Sequence, residues 1–435
     1  MLAYTTQEPI YALASAFAPS ALAVIRASGE DVLSIISPYF TGKLEKAKTN
    51  EAIHGYIIDK DGKKIDEVML IKYTKGHGYT SEEAFEIMCH GSLPVIRKIS
   101  SLMESIGIRK ALRGEFTYRA FMHGRMDLTE AEAVEELVKA KGERGREEAL
   151  ERLSGSIRKE AGIIKDDILN ILASLEVQLD YGEDEIIEDW IFPVEKVKKI
   201  IARLERISST YRSSRLYSSG AKVVLAGATN AGKSSLFNAL LKENRAIVSS
   251  IAGTTRDYLE SNCEIDGIPI RLFDTAGLRD GDDEIEKEGI NRSKEMIKDA
   301  DLVVYVLDGG EKEPEIKAEK TIYVHSKSDI KPSSGLSFSS LTGEGIDKVI
   351  DAISHFLSTE INSFSDCPVI ESKRQKDKID ETISSLKEAI KNKDMSVDII
   401  ALYFQEALSS LSELTGEVTT DDVLDVLFSS FCLGK

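Results

Sequence analysis

The sequence predicts a multidomain protein of mixed α+β and α/β class. An N-terminal α+β domain is followed by a helical domain made from two chain segments, with an α/β domain of mainly parallel sheet inserted between them. Three observations predict this. Residues 1–118 mix short β-type runs with glycine punctuation, residues 119–215 and 361–435 are patterned as helices, and residues 216–360 alternate apolar strand-sized runs with polar or helical stretches. At 435 residues the chain has the length of about three domains.

In the first zone AVIR from Ala23, EVMLIKY from Glu67 and FEIMC from Phe85 read as strands, and residues 95–106 as a helix. From about Phe121 the pattern is helical: Leu128, Ala131, Val134, Leu137 and Val138 share one face, and Thr129 with Glu132 has capping-box spacing. In the third zone KVVLAG, IRLFD, DLVVYVLD, TIYVHS and LSFSS read as successive strands of βαβ units. Towards the end ALYFQEALSSLSEL reads as a helix stopped at Gly416, and Thr419 with Asp422 caps DDVLDVLFSSF.

Composition narrows the function classes. With 42% apolar residues and 9 prolines, the chain is neither disordered nor collagen-like. No stretch approaches the roughly 20 apolar residues of a membrane-spanning helix. No basic residue precedes Arg26, so the charged head of a secretory signal is missing and a cytoplasmic location is expected. Cys89, Cys263, Cys367 and Cys432 have no CxxC spacing and form neither a disulfide framework nor a zinc site. The formal net charge of -18 repels polyanions, so a nucleic acid would have to be held by local basic patches.

The strongest chemical signal is Gly227-Ala-Thr-Asn-Ala-Gly-Lys-Ser234, a GxxxxGK[ST] loop between an apolar strand and a helical pattern. Its glycines let backbone N–H groups of Asn230, Ala231, Gly232, Lys233, Ser234 and Ser235 face phosphates, Lys233 reaches phosphate oxygens, and Ser234 ligates Mg²⁺. Downstream come Gly253-Thr-Thr-Arg-Asp257 and then Asp274-Thr275-Ala276-Gly277 at the end of IRLF, where Asp274 holds the metal's water shell and Gly277 senses the γ-phosphate. Ser326-Lys327-Ser-Asp329 follows TIYVH, with Asp329 placed to accept both guanine N–H groups and the Lys327 stem to pack on the base; Ser339, Ser340 and Leu341 close the base pocket. The order of these motifs is that of a P-loop GTPase binding GTP.

Position 278 is Leu, which has no polar atom to orient the attacking water. Glu286, in the acidic run 280–288, reads either as a solvated face or as a carboxylate that orders this water. Asn230 likewise reads as ordinary loop chemistry or as a side chain binding a monovalent cation beside the phosphates.

With these residues, and with RGEFTYRAFMHGRMDLTEAEAVEEL, AIVSSIAGTTRD and LTGEVTTDDVLDVLFSSFCLGK, the chain resembles the MnmE (TrmE) family of tRNA modification GTPases over nearly its full length. The resemblance implies a folate-binding, dimer-forming domain over residues 1–118, a helical domain over 119–215 and 361–435, and an inserted GTPase domain over 216–360. It also implies a homodimer that joins an FAD-dependent MnmG-type partner in a heterotetramer and acts on C5 of the wobble uridine of certain tRNAs, with neither membrane nor DNA as partner. The one-carbon unit would come from a tetrahydrofolate derivative, 5,10-methylene or 5-formyl, and K⁺ would stimulate hydrolysis in the role of an arginine finger.

Carried over by position, Asn230, Ser249, Ile251 and Thr254 bind K⁺; Ser234 and Thr255 bind Mg²⁺; Ser249, Thr254, Thr255, Thr275 and Ala276 join the nucleotide site; and Glu286 organises the water. Arg26, Glu86, Arg125 and Lys435 contact folate, and Cys432 has a role near the one-carbon chemistry, a lone cysteine being otherwise a small buried hydrophobe. The chain departs from the family pattern at Ser326 for Asn, Ser340 for Ala, Arg125 for Lys, and in Phe17-Ala-Pro-Ser before Arg26. Two other readings stand beside this one: a GTP-dependent RNA or ribosome assembly switch, and a paralogue that hydrolyses GTP without folate.

Overall fold

The structure is a computed structural model that describes residues 4–180, 191–243, 259–274, 295–314, 318–331, 333–360 and 367–434. The chain forms two compact units. One comprises Met1–Glu135, Leu153–Tyr181 and Val397–Lys435, the other Glu136–Arg152 and Gly182–Ser396.

The first unit is built on a six-stranded sheet of order β3-β4-β5-β2-β1-β6. Its strands are β1 (Ile10–Leu13), β2 (Leu22–Ser28), β3 (Glu51–Ile58), β4 (Lys64–Tyr73), β5 (Ala84–His90) and β6 (Arg109–Lys110). All neighbours are antiparallel except β1 and β6. The three expected strands are β2, β4 and β5; β1, β3 and β6 are additions. Alternation along β2 sends Ala23, Ile25 and Ala27 into a core shared with helices α1 (Val32–Ile36) and α2 (Leu93–Ser105). Arg26 therefore lies on the other face, together with Ser28.

Helices α3 (Glu115–Met122) and α4 (Leu128–Lys139) follow. The α4 cap corrects the sequence expectation. Asp127 Oδ1 accepts from the Glu130 backbone N–H at 2.8 Å, and Glu130 Oε2 accepts from the Asp127 N–H at 2.7 Å. The reciprocal box is thus Asp127/Glu130 rather than Thr129/Glu132, because aspartate two residues earlier offers the same spacing with a strong capping acceptor. Thr129 and Glu132 are buried inside the helix instead.

The second unit takes helix α5 (Glu143–Leu153) up to Arg152, whereas α6 (Ser156–Asp180) belongs to the first. Helix α7 (Val194–Ser219) leads into a five-stranded sheet of order β11-β10-β7-β9-β8. Its strands are β7 (Ala221–Gly227), β8 (Leu259–Ile265), β9 (Ile268–Asp274), β10 (Leu302–Leu307) and β11 (Thr321–His325). Pairings β10–β11, β10–β7 and β7–β9 are parallel; β8–β9 is antiparallel. Helices α8 (Lys233–Glu243) and α9 (Ile346–Glu360) pack on it through Leu236, Leu240, Val349 and Ile353.

The LSFSS run is not a strand: only Ser337 bridges to His325, and left-handed glycines at 343 and 345 turn the chain away. Helix α10 (Lys373–Lys391) pairs with α7 in this unit. Helices α11 (Val397–Thr415) and α12 (Asp421–Ser429) return to the first, where α11 pairs with α6. Gly416, at φ 83°, ends α11 as expected. Helix α12 begins after Thr420 with no side-chain cap, so the Thr419–Asp422 box does not form. No described helix is long and apolar enough to cross a membrane.

Candidate functional sites

The nucleotide-type site grows from the C-terminal end of β7. Gly227 has φ 140°, and a Cβ there would lie 2.2 Å from the Val306 carbonyl oxygen of the adjacent strand. Only glycine lets the chain turn so close to its neighbour. Asn230 adopts the left-handed region at φ 63° and is exposed, Ala231 is buried, and Gly232 is left-handed at φ 98°. The Lys233 ammonium, 6% exposed, donates to the Gly227 and Ala228 carbonyls at 3.0 and 2.7 Å, which holds it inside the loop.

Ser234, on the first turn of α8, donates through Oγ to Asp274 Oδ2 at 2.7 Å; Asp274 is fully buried at the end of β9. A hydroxyl and a carboxylate brought this close form an oxygen donor pair suited to a hard divalent cation. Among the described residues no larger group of metal-ligating side chains occurs. Ser235 is exposed beside Ser234.

The base-side residues converge on the same edge. Ser326 is 2% exposed, and its Oγ has no hydrogen-bond partner. A Cβ on Gly232 would lie 3.1 Å from the Ser326 Cβ, so the loop and the base segment are in contact. Lys327 is left-handed, and its ammonium pairs with Asp308 at 2.8 Å. Together with Lys331 it holds the Asp308 carboxyl below its usual range. Asp329 is exposed and points no charge into the core.

Ser339 is fully buried; its Oγ accepts from the Leu341 and Thr342 N–H groups at 3.3 and 3.2 Å, leaving Ser340 and Leu341 exposed at the rim. Ser249, Ile251, Thr254, Thr255, Thr275, Ala276, Gly277 and Glu286 lie outside the described residues.

A second cluster sits in the first unit. Arg26 and Glu86 are directly opposed across the β2–β5 ladder and form an ion pair at 2.9 Å. Arg26 also donates to the Gly434 carbonyl at 3.1 Å, and its guanidinium lies 5.8 Å from the Tyr79 ring and 5.7 Å from the Phe116 ring. The Tyr73 hydroxyl reaches Glu86 Oε2 at 3.5 Å, and burial followed by that carboxylate raises its pKa.

The C-terminal tail arrives here because Leu433 bridges Arg113, Phe428 packs in a T-shaped contact on Tyr118, and Gly434 passes close to the Leu13 carbonyl. Cys432 is exposed, not a buried hydrophobe. Arg125 is exposed near Tyr79, whose hydroxyl pKa it lowers together with Arg26 against the larger effect of burial. Lys435 lies outside the described residues. Sequence reasoning missed Tyr73, Tyr79 and Gly434 as members of this cluster; the RGEFTYRAF run, which contains Phe116, was the available signal.

Comparison with known proteins agrees with this architecture. The family model of the GTP-binding protein TrmE N-terminus matches residues 9–125, and that of the MnmE helical domain matches residues 128–432. The tRNA modification GTPase MnmE of Treponema denticola is 38% identical over 467 aligned positions, covering 99% of both chains. That of Aquifex aeolicus is 36% identical over 450, covering 99% of this chain and all of the relative. Among solved structures, the G domain of the T. maritima FeoB iron transporter is 29% identical over 31% of this chain and 98% of its own, with a TM-score of 0.24. With both family models and full-length relatives matched, the chain belongs to the MnmE (TrmE) family of tRNA modification GTPases.

Proposed function

We propose that this chain hydrolyses GTP in the service of tRNA modification. In this reading a homodimer joins an FAD-dependent MnmG-type partner and introduces an aminomethyl or carboxymethylaminomethyl group at C5 of a wobble uridine, drawing on a tetrahydrofolate one-carbon unit. The observation that carries the GTPase half is the cradle itself: a loop bent by Gly227 and Gly232 around a sequestered Lys233, with Ser234 and Asp274 paired at its mouth.

Backbone N–H groups from Asn230 to Ser235 would hold the phosphates, and Ser234, with Thr255, would hold Mg²⁺, which supplies charge neutralisation on the β- and γ-phosphate oxygens. Asp329 would select guanine, Ser339 to Leu341 would frame it, and Glu286 would order the attacking water. Asn230, with Ser249, Ile251 and Thr254, would hold K⁺, a fixed positive charge beside the leaving oxygen. The folate site would use Arg26, Glu86, Arg125 and Lys435. Glu86 would offer a carboxylate to amino and amide N–H edges, Arg125 a cation to the ligand's carboxylate tail, and Cys432, which is exposed, would act near the one-carbon chemistry.

The domains would be those expected from sequence: 1–118, 119–215 with 361–435, and 216–360. Hydrolysis measured in KCl should exceed that in NaCl many-fold, and Asn230→Ala should remove the difference; equal rates in the two salts refute the cation assignment. Mass spectrometry of wobble nucleosides from cells lacking the protein tests the modification half, and unaltered nucleosides refute it.

A further inference from the structure

The Arg26 cluster contains an aromatic residue, Tyr79, distinct from the expected folate residues Arg26, Glu86, Arg125 and Lys435. Tyr79 stands on the connection leading into β5, one residue before Thr80. That connection is pinned from behind. Ser28 Oγ contacts Thr80 Oγ1 at 2.5 Å and donates to Glu82 Oε2 at 2.7 Å, and His123 Nδ1 lies 3.0 Å from the Thr80 carbonyl oxygen. The buried Arg119 guanidinium donates to both Glu82 oxygens at 3.3 Å. The Tyr79 hydroxyl is tied to Thr117 at 2.9 Å on α3, the helix that also supplies Phe116. Ser28 is two residues beyond Arg26 on the same face of β2, so one strand supplies both the cation and the pin for the ring beside it.

A ring fixed at both its hydroxyl and its backbone is costly to order only once, during folding. Arg26 needs such support. Its Nε is buried without a hydrogen-bond partner, and its other contacts are the Glu86 carboxylate and the Gly434 carbonyl. Phe116 is buried and Tyr79 only partly so, which makes Tyr79 the ring of the pair that reaches the open side. We propose that Tyr79 is a positioning residue of the Arg26 site: its π face, with Phe116, fixes the Arg26 guanidinium in the orientation that receives a reduced folate. The assignment rests on the folate reading above. Ring faces hold a guanidinium without consuming any N–H donor, so the donors of Arg26 not already given to Glu86 and Gly434 are left for a ligand.

The test is calorimetric titration of the full chain with 5-formyl-tetrahydrofolate, using wild type, Tyr79→Phe, Tyr79→Leu and Arg26→Met. Tyr79→Leu keeps apolar bulk without a π face and should weaken binding about tenfold, the scale of a desolvated cation–π contact. Tyr79→Phe keeps the face, loses only the Thr117 tether, and should bind within about threefold of wild type on the same scale. Wild-type amide-exchange protection of strands β2 and β5 in both variants reports that the first unit, which carries Tyr79, is folded. Wild-type affinity in Tyr79→Leu, or equal losses in Leu and Phe, overturns the Tyr79 assignment while leaving folate binding intact. Absence of heat with wild type overturns the folate reading and the assignment together.

Discussion

Replacing Gly227 by alanine should damage nucleotide binding while leaving the rest of the GTPase unit folded. Two effects act at this residue. Its φ of 140° is one that L side chains rarely adopt, and the added methyl would meet the Val306 carbonyl oxygen at 2.2 Å. Val306 is the register partner of Gly227 in the parallel β7–β10 ladder, so that oxygen cannot retreat alone. A backbone forced from such a region costs about 1–3 kcal/mol. The chain can relieve it only by moving the loop that bears the phosphate-facing N–H groups. If that cost appears in the bound state, affinity for GDP falls about 5- to 150-fold, at 1.4 kcal/mol per tenfold.

Gly267 in the β8–β9 turn is the control: it is left-handed at φ 78° with nothing within 4 Å of a Cβ, so Gly267→Ala has the strain without the collision. Fluorescent GDP titration of both variants, with a thermal melt alongside, separates the effects. Gly267→Ala should lose stability and keep affinity. Unchanged affinity in Gly227→Ala would refute the claim that the close β7–β10 approach shapes the loop.

Other outcomes follow from the buried charges and thiols. Arg119 is fully buried and bonded to Glu82, to Glu115 and to the Thr5 and Glu8 carbonyls. Arg119→Met leaves Glu82 without its cation and should destabilise the first unit by about 3–5 kcal/mol, seen as faster amide exchange in residues 5–12; unaltered exchange there would count against it. Burial raises the Cys89 and Cys263 thiols from 9.0 to about 11. The stability they contribute is present below pH 9 and falls as pH rises towards 11, because the unfolded thiols ionise first, by about 1.4 kcal/mol per pH unit for each thiol. Iodoacetamide at mildly alkaline pH should therefore label exposed Cys432 well before either; early labelling of Cys89 would contradict its burial.

The nucleotide loop was legible because its chemistry is local: strand, turn, lysine and helix occupy consecutive positions, and spacing alone puts them together. The Arg26–Glu86 pair was not legible from spacing, since only the β2–β5 register makes residues 60 apart in sequence face one another. The buried guanidinium groups were equally hidden. A charged residue in a helical pattern reads as solvated, yet Arg152, 1% exposed, binds Glu136 and Glu371 at 2.7 Å each. The strand β8 escaped because LESNCEI carries too little apolar patterning, its place being fixed by antiparallel pairing with β9. The α4 cap was misplaced by two residues because Asp127-Glu130 and Thr129-Glu132 share one spacing, and only backbone geometry separates them.

The hydrogen bond from Arg26 to the Gly434 carbonyl joins positions 408 apart in the chain. During synthesis at roughly 5–20 residues per second, the first sheet emerges from the ribosome long before the segment that finishes its arginine site. All six strands of that sheet thus leave the ribosome before this acceptor exists, so translation of the segment around Gly434 sets the earliest moment at which the pocket can mature.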